Sequence, residues 1–272
     1  MTEGKSLITL EPAFERAVVT GAGSGLGRGI ALALTAAGVD VVAMGRREEP
    51  LAETAAIAPG PGTVTVAPGN IRDEEDVDRV FTLAEADGPP QMLVHAAAGA
   101  FHAPAEQISA NGFRAVVDTG LSGAFLVLRR WARPLIEARL PGVATAISSA
   151  LGAREVPGAA HSSAAKAGLE ALTRSLAVEW GRYGLRINVV APGAVSTEGA
   201  DAGTWDAEEF RRHALENIPL GRFGEVDEVV SAAMLLLSRQ GEYITGSSIY
   251  VDGGWRLGDW PFMSEPPSSW AE

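Results

Sequence analysis

The sequence predicts an α/β domain with a doubly wound parallel sheet, covered by helices on both faces. Three observations predict it. Short apolar runs rich in Val, Ile and Ala recur along the chain, as strands buried on both sides require. Longer stretches separate them, in the alternation expected of βαβ units. The first run also passes straight into a glycine-rich turn and then an apolar helix, a local order that parallel sheets favour.

The strands are expected at Ala17–Thr20, Val39–Met44, Thr63–Val66, Met92–His95, Val143–Ser148, Ile187–Ala191 and Ser248–Val251. An apolar helix from Ile30 to Ala37 follows the first of them. Ala58–Gly62 and Gly88–Pro90 are Pro- and Gly-rich, and read as turns within one domain, not as linkers between two. The expected organisation is an extension over 1–15, one domain over 16–255 and a tail over 256–272. Residues 196–218 interrupt the pattern after a strand. Trp255, Trp260 and Trp270 crowd the end of the chain with Phe262 and several prolines, so the tail is expected to dock.

Composition narrows the function. A chain of 272 residues with 46% hydrophobic and 21% charged residues is ordinary for a globular domain. No Cys is present, which excludes disulfides, thiolate catalysis and thiolate metal sites, and suits a reducing cytoplasm. The apolar patch of Leu7, Ile8 and Leu10 is too brief for a signal-peptide core, and no run is long enough to span a bilayer. A net charge of −12 repels nucleic acid and acidic membranes, so neither is expected as a partner. No His, Asp or Glu spacing suggests a metal. Of 22 basic residues only Lys5 and Lys166 are lysines. A lone interior lysine in an arginine-biased chain suggests chemistry that a guanidinium cannot perform, with chance as the plainer reading.

The turn Gly21-Ala22-Gly23-Ser24-Gly25-Leu26-Gly27 sits where a strand feeds a helix. Glycines there let the backbone approach a pyrophosphate, whose charge rests on the helix N-terminus. No Lys follows the final glycine, so this is not a Walker motif. A carboxylate closing the second strand would accept from the ribose hydroxyls of NAD and repel a 2′-phosphate. That strand instead runs into Gly45-Arg46-Arg47, and guanidinium groups there favour NADP(H). The plainer alternative is that both arginines are solvated surface charges.

Further landmarks fall in order along the chain: Asn70-Ile71-Arg72-Asp73, Ala96-Ala97-Ala98-Gly99, Ile147-Ser148-Ser149, Lys166-Ala167-Gly168, Asn188 to Pro192-Gly193, and Val251-Asp252-Gly253-Gly254. From Ala17 to Trp255 the chain resembles the short-chain dehydrogenase/reductase family. The resemblance implies a Rossmann fold with seven parallel strands in the order 3-2-1-4-5-6-7, and a homo-oligomer, either tetramer or dimer. It implies a cofactor site of Gly21, Gly23, Ser24, Gly25, Leu26, Gly27, Arg46, Arg47, Asn70, Ile71, Ala97, Lys166, Pro192, Gly193, Val195 and Thr197. Segment 196–218 then resembles the family's substrate lid, with Trp205, Phe210, Leu215 and Ile218 on an apolar face.

The departures from the family matter as much as the matches. The family usually places a catalytic Tyr four residues before its Lys, and here that position holds Ser162. Gly120 stands where the family carries a helix Asn, and His95 fills part of the usual Asn-Asn-Ala-Gly signature. The form Ala97-Ala98-Gly99-x-Phe101, with Ser109-Ala110-Asn111-Gly112-Phe113, looks most like the 2,4-dienoyl-CoA and trans-2-enoyl-CoA reductases. The dienoyl branch lacks that Tyr, puts a Ser in its place, and carries a relocated Tyr that aligns with Leu151. Asp118 is the nearest match to the branch's helix Asp. Reducing a conjugated C=C needs hydride at one carbon and a proton at another, so a carbonyl-directed phenol is dispensable.

The expected reaction is therefore an NADPH-dependent reduction of an activated C=C, or of a related small apolar substrate. Lys166 and Ser162 lie one turn apart and share a helix face. Ser149, or Ser148, would polarise a substrate carbonyl. His161, His102, His95 and Asp118 are candidate proton carriers, each with an ordinary structural role as its alternative. Phe101, His102, Leu151, Trp205 and Phe210 are the expected substrate contacts. For an acyl-CoA substrate, Arg129, Arg130 and Arg133 are the clearest basic group to meet the phosphates. A different class of function stays open: an SDR-fold protein that keeps the nucleotide site for non-redox chemistry, or as a binding subunit.

Overall fold

The computed structural model describes residues 10–154, 156–197 and 208–257, except for the side chains of 208–210. Seven parallel strands form one sheet: β1 Arg16–Thr20, β2 Asp40–Gly45, β3 Val64–Pro68, β4 Met92–His95, β5 Gly142–Ile147, β6 Leu185–Pro192 and β7 Ser248–Val251. Their order is β3-β2-β1-β4-β5-β6-β7, as expected, with the topological switch between β1 and β4. The helices are α1 Gly25–Ala36, α2 Glu48–Ala56, α3 Glu74–Ala84, α4 Ala110–Val117, α5 Gly123–Ala138, α6 Ala160–Trp180, α7 Glu208–Glu216 and α8 Val226–Leu237. β4 and β7 have the expected bounds and the other strand ends differ by at most two residues; β6 is the longest because Leu185–Val190 pair with β5 and Val189–Pro192 with β7.

The period of two along the strands divides the core. Ala17 and Val19 of β1 pack on one face with Ile30 and Leu34 of α1 and Val229 and Leu237 of α8. Val18 points to the other face, among Val80 and Phe81 of α3 and Val127 and Trp131 of α5. Met92 and Val94 against Leu93 repeat this division in β4. Both faces are covered, which explains the absence of alternating polar positions in the strands.

Local signals set the helix starts. Asp73 caps α3 by accepting from the Glu75 backbone N–H at 3.0 Å, ahead of Glu74, Glu75 and Asp76 in the first turn. Ser109 caps α4 by accepting from Gly112 N–H at 3.0 Å. Between α4 and α5 the chain makes a π-helical turn over Asp118–Ser122. Gly120 sits inside it, buried against α6; a Cβ there would lie 3.1 Å from that of Ala165. Gly120 is therefore a close-packing point. Residues before β1 are held as well: Ala13 N–H donates to Leu237 O at 3.0 Å, and Leu10 and Phe14 pack on the core.

Candidate active site

The C-terminal ends of the strands open into one cleft of about 670 Å³. Open α/β sheets bind ligands there, beside the point where strand order reverses. The turn after β1 forms its floor. A Cβ on Gly21 would lie 2.8 Å from Ala97 N, and one on Gly27 would lie 2.2 Å from Gly21 O. Side chains are sterically excluded at both, so the backbone is bare where α1 begins. Arg28 locks the turn from behind, donating to Gly23 O at 2.6 Å and to Thr54 Oγ1 at 3.1 Å, and pairing with Glu53 at 2.8 Å. Thr20 Oγ1 accepts from the N–H groups of Ala96 and Ala97, both at 3.2 Å, which joins the first turn to the one after β4. Every residue of the expected cofactor site lines this cleft, from Gly21 through Arg46, Arg47, Asn70, Ile71 and Ala97 to Lys166, Pro192, Gly193, Val195 and Thr197.

One end of the cleft is basic. Arg46 and Arg47 follow β2, Arg72 follows the loop after β3, and all three are exposed at the lining. None of their guanidinium groups makes an ion pair or hydrogen bond with another described residue; Arg72 is held through its backbone N–H, which donates to Asn70 Oδ1 at 3.2 Å. The arginines of α5 behave differently, which corrects one expectation. Arg129 pairs with Glu74, Arg130 with Asp78 at 2.9 Å and Glu85 at 2.5 Å, and Arg133 with Glu137 at 3.0 Å. They are neutralised mostly by the acidic helix α3 and offer no open basic patch to an acyl-CoA. The sequence named the cluster but could not show its partners.

The other end holds the lysine. Lys166 is buried on α6, and its Nζ donates to Ile147 O at 2.8 Å. Burial pushes its pKa down to about 8, opposed by the charge of Glu170. Ser162 lies one turn earlier, buried but lining the cleft. Ser149 lines it too, and its Oγ accepts from Leu151 N–H at 3.2 Å. The tyrosines stand elsewhere. Tyr183 and Tyr243 are exposed, Tyr250 donates to Glu170 at 2.8 Å, and none of the three lines the cleft.

The proton-carrier candidates separate by position. Asp118 is exposed, accepts from the Ser122 hydroxyl at 3.4 Å, and does not line the cleft. His95 is buried behind the cleft, sharing a hydrogen bond of 3.2 Å with Thr20 Oγ1. Burial, with the nearby Lys166 charge, pushes its pKa down to about 3, so it stays neutral at physiological pH. His161 is fully buried beneath Phe101, edge-on at 4.4 Å between ring centroids. Neither of its ring nitrogens has a partner among the described residues, and burial, then the neighbouring His102, hold its pKa below the usual value.

Phe101, His102 and Leu151 line the open side of the cleft with Val156 and Trp255. Leu151 and Leu215 pack on a cluster of Ile218, Phe223 and Trp255, which ties α7 to this wall. Trp205 lies outside the described residues, as do Trp260, Phe262 and Trp270; α7 contains Phe210, whose side chain is not described. Sequence reasoning missed Arg72 as a lining residue, and Glu170. An acid four positions after an interior lysine was the available signal for the second.

A family described as Enoyl-(Acyl carrier protein) reductase matches residues 21–256. A Bacillus subtilis protein named "Probable 2,4-dienoyl-CoA reductase [(2E)-enoyl-CoA-producing]" is 36% identical, over 90% of this chain and 98% of its own. The L-xylulose reductase of Bos taurus is also 36% identical, with the same two coverages of 90% and 98%. A crystal structure from Beutenbergia cavernae with bound NADP at low occupancy superposes with a TM-score of 0.83 at 32% identity, covering 91% of this chain and 99% of that one. The chain belongs to the short-chain dehydrogenase/reductase family, a family of oxidoreductases. Its relatives reduce chemically different substrates by name, a thioester-conjugated diene and a ketose among them.

Proposed function

We propose that this protein is an NADPH-dependent reductase of an activated, conjugated C=C bond or a related apolar substrate. The observation that carries the reading is a cleft with a basic, unpaired end for a phosphorylated ribose, a buried lysine at the other end, and no phenol between them. Arg46 and Arg47, with Arg72 beside them, are free to pair with a 2′-phosphate. Bare backbone at Gly21 and Gly27 and the N-terminus of α1 suit a pyrophosphate. The similar structure with bound NADP agrees with this choice of cofactor. When bound, the nicotinamide supplies a hydride.

The chain's own groups then orient and protonate. Lys166 donates toward the ribose hydroxyls, and its charge stabilises negative charge developing nearby. Ser149 and Ser162 donate hydrogen bonds to a substrate carbonyl conjugated with the double bond. A serine hydroxyl is a poor acid, so it polarises rather than protonates; water entering the open side, or His161 once uncovered by Phe101, delivers the proton. Phe101, Leu151 and Trp255 give the substrate an apolar wall. We also infer a homo-oligomer, dimer or tetramer, as the family resemblance implies.

The test is NADPH oxidation across enones, dienoyl thioesters, ketoses and simple ketones. Turnover confined to the conjugated substrates, abolished by Lys166→Ala, is the expected result. Efficient ketose reduction would overturn the reading. Tight NADPH binding without oxidation of any of them would mark a non-redox protein instead.

A further inference from the structure

We propose that Glu170 is a positioning residue of this site: its buried carboxylate clamps the end of β5 to β7 and provides the counter-charge for Lys166. Glu170 lies one turn after Lys166 on α6 and is only 5% exposed. Both carboxylate oxygens are engaged. Oε1 accepts from Ser148 Oγ at 3.2 Å; Oε2 accepts from Ser248 Oγ at 3.1 Å and from the Tyr250 hydroxyl at 2.8 Å. All three donors are neutral hydroxyls, and no cation pairs with Glu170 within salt-bridge distance among the described residues. The hydrogen bonds satisfy the oxygens without cancelling the charge. Lys166 is the cation positioned to feel it.

The clamp acts where the lysine is held. Ser148 sits between Ile147, whose carbonyl accepts from Lys166 Nζ, and Ser149 at the cleft. Fixing Ser148 from β7 therefore fixes both the acceptor of the lysine and the serine beside it. Close packing leaves no slack, since a Cβ on Gly152 would lie 2.9 Å from Glu170 Oε1. The groups facing this pair are few. His95 faces Lys166 from β4 and stays neutral; Arg174 of α6 and Arg256 act on Tyr250, Arg256 stacking over its ring at 4.2 Å. A negative charge beside an ammonium favours its protonated form, so its removal lets burial drive the lysine further toward neutrality.

The test does not depend on cofactor or substrate, although the consequence for catalysis rests on the reading of Lys166 above. With only Lys5 and Lys166 in the chain, biosynthetic 13Cε-lysine labelling gives two lysine signals, assigned with Lys5→Arg. We expect Glu170→Gln to lower the Lys166 midpoint from about 8 by about one pH unit, a tenfold loss in proton affinity. Tyr250→Phe and Ser248→Ala keep the carboxylate and should move it by less than about half as much. An unchanged midpoint in folded Glu170→Gln would overturn the proposal. Should that variant not fold, Glu170→Asp is decisive: it keeps the charge, so a midpoint lowered by a full unit would refute the counter-charge role. In turnover, the alkaline limb of kcat/KM should shift in parallel. A shifted lysine in an enzyme that oxidises no NADPH would leave the positioning role standing and remove the reductase reading.

Discussion

Ser162 concentrates the chemical question at the scale of single residues. By the family resemblance, its place one turn before Lys166 is the one a catalytic phenol would take. The three tyrosines stand elsewhere, so no phenol lines the cleft. Ser162→Tyr is expected to add ketone reduction, measurable as NADPH oxidation with a simple ketone at least about tenfold above the parent protein, equivalent to about 1.4 kcal/mol in barrier. No gain, in a variant that still binds NADPH, would show that more than the phenol was replaced. Ser162 and Lys166 were legible as a pair because spacing along a helix translates directly into a shared face, whereas Ser149, after β5, was named from the family resemblance. His161 was legible as a residue but not in its situation. Only packing reveals that its ring lies under Phe101 with both nitrogens unpartnered among the described residues.

Among the elements, the turn from β2 into α2 is where the proposed function puts cofactor choice. Gly45 closes the strand without a carboxylate, and Arg46 and Arg47 project at the cleft before the acidic first turn of α2. A charge-assisted contact to phosphate contributes about 1.5–3 kcal/mol, so removing both guanidiniums should weaken NADPH binding at least about tenfold. NADH binding should change little, and titration of the two nucleotides against Arg46→Ala/Arg47→Ala checks both halves. Equal loss for both would assign the arginines a merely structural role. The π-helical turn between α4 and α5 was not legible. Gly120 appeared in sequence as a lost Asn, whereas its contact with Ala165 makes it a seat for α6. The same limit applied to Arg129, Arg130 and Arg133, since a sequence shows charges but not the opposing face of α3 that neutralises them.

At the scale of the whole molecule, the cleft spans the turns after β1, β2, β3 and β4, the end of β5, α6 and the loop after β6, so a dinucleotide in it would tie together most of the sheet. Ligand that binds only the folded chain stabilises it, by about 2.7 kcal/mol at a hundredfold excess over Kd. NADPH should therefore raise the melting temperature more than NADH at equal concentration, read by thermal denaturation; the reverse order would contradict the cofactor assignment. The sequence alone determined the doubly wound sheet and the glycine floor of the cleft, while the strand order came with the family resemblance. The sheet and the floor follow from local rules: runs buried on both faces, and turns that admit no side chain. Tertiary structure alone decided which arginines remain open, which histidines are sealed, and that Glu170 stands between β5 and β7 behind the lysine. Charge and hydrogen bonding depend on groups brought together from distant parts of the chain. No spacing within one segment encodes that proximity.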